Sequence, residues 1–501
     1  MNQGTARSVL RSAAASLRDR FTVDTRSLAA FRIGLGLLLL VDLALRARDL
    51  TAFYTDNGVL PRTALISQFG EPWQWSLHLV HGSAAAQAVL FTAAGVAAVA
   101  LTVGYRTRLA TVVSWLLLVS LHHRNPVVLN GGDDLLGLLL FWSMFLPLGA
   151  RWAVDSRSGA SGDSVVSVAT AALLLQPVMM YTVNAVMKMQ GEAWLDGGAL
   201  AAILSLEQFT VRLGPVLAQH RSVLMPFLHV LDLLWVAMLA GAALLVLLPR
   251  HLRTPLLGLY VGGHLFMAGI MRLGLFPFIA IVALLPFLPD TFWRRLPPRT
   301  AAVRRWWAAV LERLDAVTAD RTPAAPQARR VLWYGGQAVV LVFLVLSLLW
   351  NVQSVSLNGS TADTVPDHME WVVDTTRTDQ YWIMFAPDPL RVDGWYVVPA
   401  RLSDGQRVDL LHGGDVSFQK PQNVAAAYPN ERWRKYLLNL WRENYAGHRP
   451  YFAAYLCDRW ERRHATGVQN LTLYFMEQET HLNETEPVER VELWSGSCPR
   501  D

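Results

Sequence analysis

The stretch YTVNAVMKMQGEAW, residues 181–194, ends a long apolar run and places a lysine, Lys188, where a membrane helix ordinarily carries no charge. Nearly all of the positively charged residues are arginines, and the only lysines are Lys188, Lys420 and Lys435. Lysine differs from arginine because burial can lower the pKa of its ammonium group until the neutral amine is able to act as a base. Lys188 either extends to the lipid headgroups or has a chemical role, and we favour the chemical role.

Two other polar residues of this stretch are candidates for binding a substrate or cofactor. Asn184 lies one turn before Lys188, and Glu192 follows it by four residues, on the same face if the helix continues that far. An ion pair with Glu192 would keep Lys188 charged and would weaken it as a base.

The composition identifies the class of protein. The chain has 501 residues, of which 53% are hydrophobic and 17% charged. Several apolar runs reach about 20 residues, enough to cross a hydrocarbon core of ~30 Å, so the lipid bilayer is the expected partner. A net charge of +5 requires no nucleic-acid partner, because the arginines lie in loops where the positive-inside rule expects them. No zinc-ligand spacing or phosphate-binding loop stands out, and no metal is expected.

The apolar runs predict an all-α polytopic membrane bundle of about nine transmembrane helices, followed by a smaller α+β extracytoplasmic domain. The spans are expected near 27–47, 83–103, 108–122, 134–148, 164–188, 224–248, 255–271, a segment ending near 289, and 331–351. Residues 195–221 are expected to form an interfacial or re-entrant segment. With the N-terminus in the cytoplasm, the basic loops all fall on the cytoplasmic side, which predicts a multi-pass cell-membrane protein.

This arrangement divides the chain into five parts: an N-terminal amphipathic cytoplasmic segment (1–26), a membrane domain (27–290), a basic cytoplasmic linker (291–330), a last transmembrane helix (331–351) and an extracytoplasmic domain (352–501). In the last part, apolar and polar residues alternate on both sides of Ser403-Asp404-Gly405, which predicts a hairpin. Cys457 and Cys498 are candidates for a disulfide in an exported domain, although spacing alone does not prove the pair.

Other polar residues of the membrane domain allow two interpretations each. His264 is either a satisfied interhelical histidine or a proton shuttle near Lys188, and Arg272 either anchors at the interface or binds an anionic substrate group. Asn130, Asp133 and Asp134 either cap the fourth span, with Asp134 the favoured cap, or line an active site, with Asp133 the favoured site residue. Arg32, Asp42 and Asp232 are expected to be structural polar residues inside the bundle. His122 and His123, at the outer rim, are expected to be interfacial.

Seven segments in this order resemble the HTTM family, the "horizontally transferred transmembrane" proteins of bacteria and archaea, which is similar to the membrane part of vitamin K-dependent γ-glutamyl carboxylase. They are FRIGLGLLLLVD (31–42), GYRTR (104–108), NPVVLNGGDDLLGLLLFWSMFLPLG (125–149), RWAVD (151–155), NAVMKMQGEAW (184–194), HLFMAGIMRLGLFPF (264–278) and MFAPDPLRVDGWYVV (384–398).

The resemblance places Lys188 at the position of the carboxylase's catalytic lysine. It implies a membrane enzyme with an intramembrane lysine base near the outer leaflet, acting on a reduced quinone of the vitamin K or menaquinone type, on a glutamate of a secreted peptide, or on both, with His264 assisting. One departure is Gly132, which stands where the carboxylase has a functional histidine. The alternative hypothesis is a non-catalytic membrane maturation, immunity or scaffold factor that binds a secreted partner through its C-terminal domain.

Overall fold

The computed structural model describes residues 12, 15–156, 163–295, 309, 326–355, 367–480 and 487–499. Much of the N-terminal segment (1–26) and most of the basic linker (291–330) predicted above lie outside the described residues. The protein is mostly helical (64%), with five candidate membrane-spanning helices and a C-terminal β-sheet domain.

Eighteen α-helices follow one another among the described residues. They are α1 (Thr25–Ala47), α2 (Leu50–Tyr54), α3 (Arg62–Gln68), α4 (Ala84–Val103), α5 (Thr107–Arg124), α6 (Gly131–Ser143), α7 (Val168–Lys188), α8 (Ala199–Ser205), α9 (Gly214–Gln219), α10 (Arg221–Ala240), α11 (Leu244–Leu247), α12 (Arg250–Ile270), α13 (Phe276–Leu284), α14 (Asp290–Arg295), α15 (Pro326–Ser354), α16 (Asp367–Thr376), α17 (Glu431–Trp441) and α18 (Arg449–Glu461).

Five stretches of the described residues are long and apolar enough to cross a membrane: α1, α4, α7, α10 with α11, and residues 330–354 of α15. The predicted count of nine spans is not confirmed. The fourth predicted span, α6, has 13 residues, and at 1.5 Å per residue it covers ~20 Å, less than the ~30 Å of a hydrocarbon core. The predicted interfacial segment at 195–221 contains two short helices, α8 and α9.

Close helix packing holds the bundle together. At Gly36 of α1, a Cβ atom would overlap the hydroxyl of Thr102 on α4 and lie 3.0 Å from its Cα atom, so the two backbones approach as only a residue without a side chain permits. Leucine side chains of α1, α6 and α7 join one buried apolar cluster in the bundle. These contacts fix the helix ends that carry the polar residues.

The C-terminal domain is built on a five-stranded antiparallel sheet. Its strands are β3 (Val392–Val397), β4 (Pro399–Leu402), β5 (Arg407–Asp409), β6 (Val468–Glu479) and β7 (Val488–Ser497). The long strand β6 pairs with β3 and β4 along one edge and with β7 along the other. Strands β4 and β5 form the hairpin predicted from Ser403-Asp404-Gly405, with Gly405 at φ 87°. A further two-residue pair, β1 (Val23–Asp24) with β2 (Ser164–Val165), lies at the other end of the bundle.

Helices α17 and α18 cover the sheet, and the structure joins Cys457 of α18 to Cys498 by a disulfide. The domain also packs on the end of the bundle where α1, α5 and α7 finish. There the rings of Phe53 and Trp433 lie 4.6 Å apart, and the Asn439 amide donates to the carbonyl of Val127 at 2.8 Å. We call this end of the bundle the lysine end, because α7 finishes there at Lys188.

Candidate functional site

The helix that carries Lys188 has a defined start and a defined end. The Ser167 hydroxyl accepts from the backbone N–H of Thr170, whose own hydroxyl accepts from the N–H of Ser167, a reciprocal cap. The helix then runs for 21 residues and finishes at Lys188. Lys188 is therefore at the end of its helix and only 2% exposed, so it does not extend into open surroundings as a headgroup anchor would.

The Lys188 ammonium is surrounded by groups of the chain itself. Its Nζ donates to the carbonyls of Met384 at 2.8 Å and Phe385 at 3.1 Å, and it lies 3.5 Å from the centre of the Trp194 ring. Two carbonyl oxygens and an indole face are all suited to a positive charge. Asp232 is also close enough for its charge to act on Lys188.

The carbonyls that contact Lys188 belong to residues 382–388, which we call the covering segment. Asn184 donates to the carbonyls of Trp382 at 2.7 Å and Met384 at 3.2 Å. The indole N–H of Trp194 donates to the carbonyl of Phe385 at 2.8 Å, and the Asp388 carboxylate accepts from the N–H of Ala193 at 2.8 Å. Predicted residues Asn184 and Lys188 therefore share one set of partners, which comes from beyond the last membrane helix.

Glu192 does not form the pair with Lys188 that the sequence allowed. Helix α7 ends at Lys188, so Glu192 no longer lies on its face, and its side chain is exposed. Among the ion pairs of the described residues, none joins these two side chains.

His264 contacts the same helix farther from the lysine end. Its Nε2 is 2.8 Å from the hydroxyl of Tyr181, which precedes Lys188 by two helical turns, about 10 Å along the axis. Its Nδ1 is buried without a hydrogen-bond partner. The structure thus joins His264 to Tyr181 and not directly to Lys188.

A second polar cluster at the lysine end consists of two carboxylates and two guanidinium groups. Arg46 contacts Asp42 at 2.6 Å and Asp133 at 2.5 Å. Arg432 of α17 contacts the same two carboxylates, at 2.6 Å and 3.0 Å. We call these four side chains the four-charge cluster. Its charges balance, which is the condition under which buried charges are tolerated.

Asp133 also caps α6, because its carboxylate accepts from the N–H of Asn130, whose side chain accepts from Gly132. The sequence analysis assigned capping to Asp134, and that assignment is wrong. Asp134 instead pairs with Arg377 at 2.9 Å. The side chains of Asn130 and Asp133 thus cap the N-terminus of α6.

The remaining predicted residues have hydrogen-bond partners in other parts of the chain. Arg272 donates to the carbonyl of Tyr428 at 2.8 Å, so it holds the C-terminal domain. Arg32 donates to backbone carbonyls that include those of Leu148 and Arg151, at the other end of the bundle. Asp232 accepts from the N–H of Leu200 at 3.1 Å. The side chains of His122 and His123 are each only 1% exposed, so both are buried within the protein.

Sequence reasoning missed the partners that the C-terminal region supplies, namely residues 382–388, Arg377 and Arg432. The stretch MFAPDP was noted after the last helix, but nothing in its composition indicates a contact with Lys188. No group of three or more His, Cys, Asp or Glu side chains suited to a metal occurs in the described ranges.

A family model described as the HTTM domain matches residues 21–293, which is more than half of the chain. Comparison with curated proteins and with solved structures found no match.

Proposed function

The chain belongs to the HTTM domain family, and we propose that it is an integral membrane enzyme of the carboxylase-like superfamily with Lys188 as its base. The observation that carries the proposal is a lysine only 2% exposed at a helix end, in a chain whose positive charges are nearly all arginines. In this proposal Lys188 acts as a base near the outer leaflet, and the substrate class is a quinol, a glutamate-containing secreted peptide or both. Tyr181 of α7, two turns before Lys188, and His264 of α12, which contacts the Tyr181 hydroxyl, form the pair that assists.

The proposed topology has nine spans, a cytoplasmic N-terminus and an extracytoplasmic C-terminal domain. The positive-inside rule supports this orientation. The disulfide between Cys457 and Cys498 also supports it, because disulfides persist in oxidising compartments outside the cytoplasm.

A quinone ring does not fit beside Lys188 in this conformation. The covering segment fills the space over the ammonium, where its carbonyls lie 2.8 and 3.1 Å from Nζ. Two cavities among the described residues lie elsewhere: one, of about 10 Å³, next to Phe91 and Ser114, and one, of about 130 Å³, next to Asp24 and Arg253. The proposal therefore rests on the lysine, and none of its steps passes through a bound quinone.

Mass spectrometry of lipids that co-purify with the wild type and with Lys188→Ala tests the proposal. A bound quinone that is lost from the variant, but kept in the control Lys420→Ala, would support an enzyme that uses this site. Identical phospholipids in all three proteins, with no quinone and no difference in secreted peptides between cells that carry each variant, would refute it.

One observation favours the second hypothesis, a maturation or scaffold factor that binds a secreted partner through the C-terminal domain. The hydrogen-bond acceptors of the Lys188 nitrogen are the backbone carbonyls of Met384 and Phe385, which belong to the C-terminal region. A lysine whose role is to join the membrane domain to the C-terminal domain would make such contacts. This hypothesis predicts that deletion of residues 352–501 destroys function. It also predicts that Lys188→Arg, which keeps the positive charge, is nearly silent, whereas a base at Lys188 would be lost.

A further inference from the structure

The covering segment is bound to the Lys188 site through its main chain. Three buried side-chain donors, on Asn184, Lys188 and Trp194, reach only backbone carbonyls of residues 382, 384 and 385. None of these contacts depends on which side chain the segment carries. Peptide-binding grooves also recognise a bound segment through its main-chain groups.

The segment lies between two elements of the bundle. On one side its carbonyls meet the end of α7. On the other side, a Cβ atom at Gly131, the first residue of α6, would lie 3.4 Å from the sulfur of Met384. The segment thus occupies the gap between the lysine and the start of α6, and it is what closes the site.

The C-terminal end of the segment is less buried than its start, where Trp382 is 0% exposed. Pro387 is exposed and Asp388 is half-buried. The turn that follows α7 meets the segment at Gly191, where a Cβ atom would overlap the Asp388 carboxylate and lie 2.5 Å from the carbonyl of Pro387. A single methyl group at this position would therefore force the segment or the turn to shift.

We propose that residues 382–388 are an intramolecular ligand of the Lys188 site, which covers the lysine and must leave before any other molecule can reach it. The inference concerns access to Lys188 and goes beyond the proposed function, because it holds whether or not Lys188 acts as a base. When the segment leaves, the same three donors, including the Lys188 ammonium, become available to a carbonyl- or carboxylate-bearing ligand.

The three lysines of the chain make this proposal directly measurable. The purified full-length protein is treated with a small acylating reagent, N-acetoxysuccinimide, and the modification rates of Lys188, Lys420 and Lys435 are read by peptide mass spectrometry. We expect Lys188 to react at least tenfold more slowly than Lys420, whose side chain is 34% exposed. Gly191→Ala is expected to raise the Lys188 rate about tenfold, which corresponds to about 1.4 kcal/mol, because the added methyl group overpacks the contact.

Gly198→Ala is the matched control, because a Cβ atom there meets no atom within 4 Å. A second test does not depend on a destabilising variant. Gly131→Cys with Met384→Cys, joined by a short bismaleimide, holds the segment in place and is expected to suppress Lys188 modification while Lys420 stays reactive.

Three results would overturn the proposal. The first is a wild-type Lys188 that reacts as fast as Lys420. The second is equal Lys188 rates in Gly191→Ala and Gly198→Ala. The third is a Lys188 rate that the crosslink leaves unchanged, since access would then depend on opening of the bundle and not on the segment. None of these results bears on whether a quinone or peptide is bound, so failure here is distinguishable from failure of the proposed function.

Discussion

Arg432→Ala should loosen the C-terminal domain from the bundle by about 3–5 kcal/mol, the usual cost of removing one member of a buried ion pair. Arg432 contacts Asp42 at 2.6 Å and Asp133 at 3.0 Å, and these carboxylates are 4–5% exposed. At an effective dielectric of about 20, each contact corresponds to roughly 5 kcal/mol of gross attraction. Desolvation and repulsion from Arg46 offset much of this sum. The variant leaves two buried carboxylates facing one guanidinium.

Hydrogen–deuterium exchange on the detergent-solubilised protein measures the effect. A loss of 3 kcal/mol corresponds to more than a hundredfold rise in the population of the open interface. We expect that acceleration in peptides that cover residues 126–134 and 430–441, on the two sides of the contact. Strand β6, in the interior of the C-terminal sheet, should keep its protection.

Two further variants make this test specific. Arg462→Ala removes a guanidinium that is 50% exposed and 3.9 Å from Asp458, and such surface pairs contribute at most about 1 kcal/mol. Adding Asp42→Asn to Arg432→Ala makes the net charge of the four-charge cluster zero again. The double variant should therefore exchange more slowly than expected if the losses of protection in the two single variants were additive. If Arg432→Ala accelerated exchange no more than Arg462→Ala, the reasoning would be refuted.

Three other predictions concern stability, each followed by thermal unfolding. Replacing Cys457 and Cys498 by serine should destabilise the C-terminal domain by about 4 kcal/mol, since the disulfide closes a loop across 41 residues; a loss equal to that of Ser403→Ala would contradict this. Burial lowers the pKa of His448 to about 4, below the ~6.5 of an unfolded histidine, so its contribution is present above pH 6.5 and is lost as the pH falls towards 4. His448→Phe should therefore remove about 1–2 kcal/mol of the difference in stability between pH 7 and pH 5, and an unchanged difference would exclude this histidine as its source. Gly36→Val should cost about 1–3 kcal/mol through overpacking against Thr102, whereas Gly95→Val, where a Cβ atom meets nothing within 4 Å, should not.

The helices and strands could be predicted because their signals are local. The apolar runs that end at Ala47 and Val103 predicted the helices α1 and α4, and the alternation on both sides of Ser403-Asp404-Gly405 predicted the hairpin of β4 and β5. The count of spans could not be predicted in the same way. Helix α6 is apolar enough to resemble a span, but its length depends on where the chain leaves the helix after Ser143, which composition does not determine.

The candidate site was only half predictable for a physical reason. Lys188 and Asn184 stand out because a polar residue in an apolar run is locally conspicuous. Their partners are main-chain carbonyls, which every residue carries, so no sequence pattern indicates that residues 382–385 supply them. Arg432 could not be predicted for a different reason. An arginine in an amphipathic helix such as α17 ordinarily lies on the solvent-exposed face.

The HTTM match ends at residue 293. Several polar side chains within the matched region nevertheless have their partners in the chain after residue 293. Lys188 and Asn184 bind carbonyls of residues 382–385, and Asp42 and Asp133 bind Arg432. A membrane domain alone would leave two carboxylates facing one guanidinium, and an ammonium without its acceptors, at costs of several kcal/mol each. In this chain the C-terminal region is therefore part of the site, and variants of the lysine have to be studied with that region present.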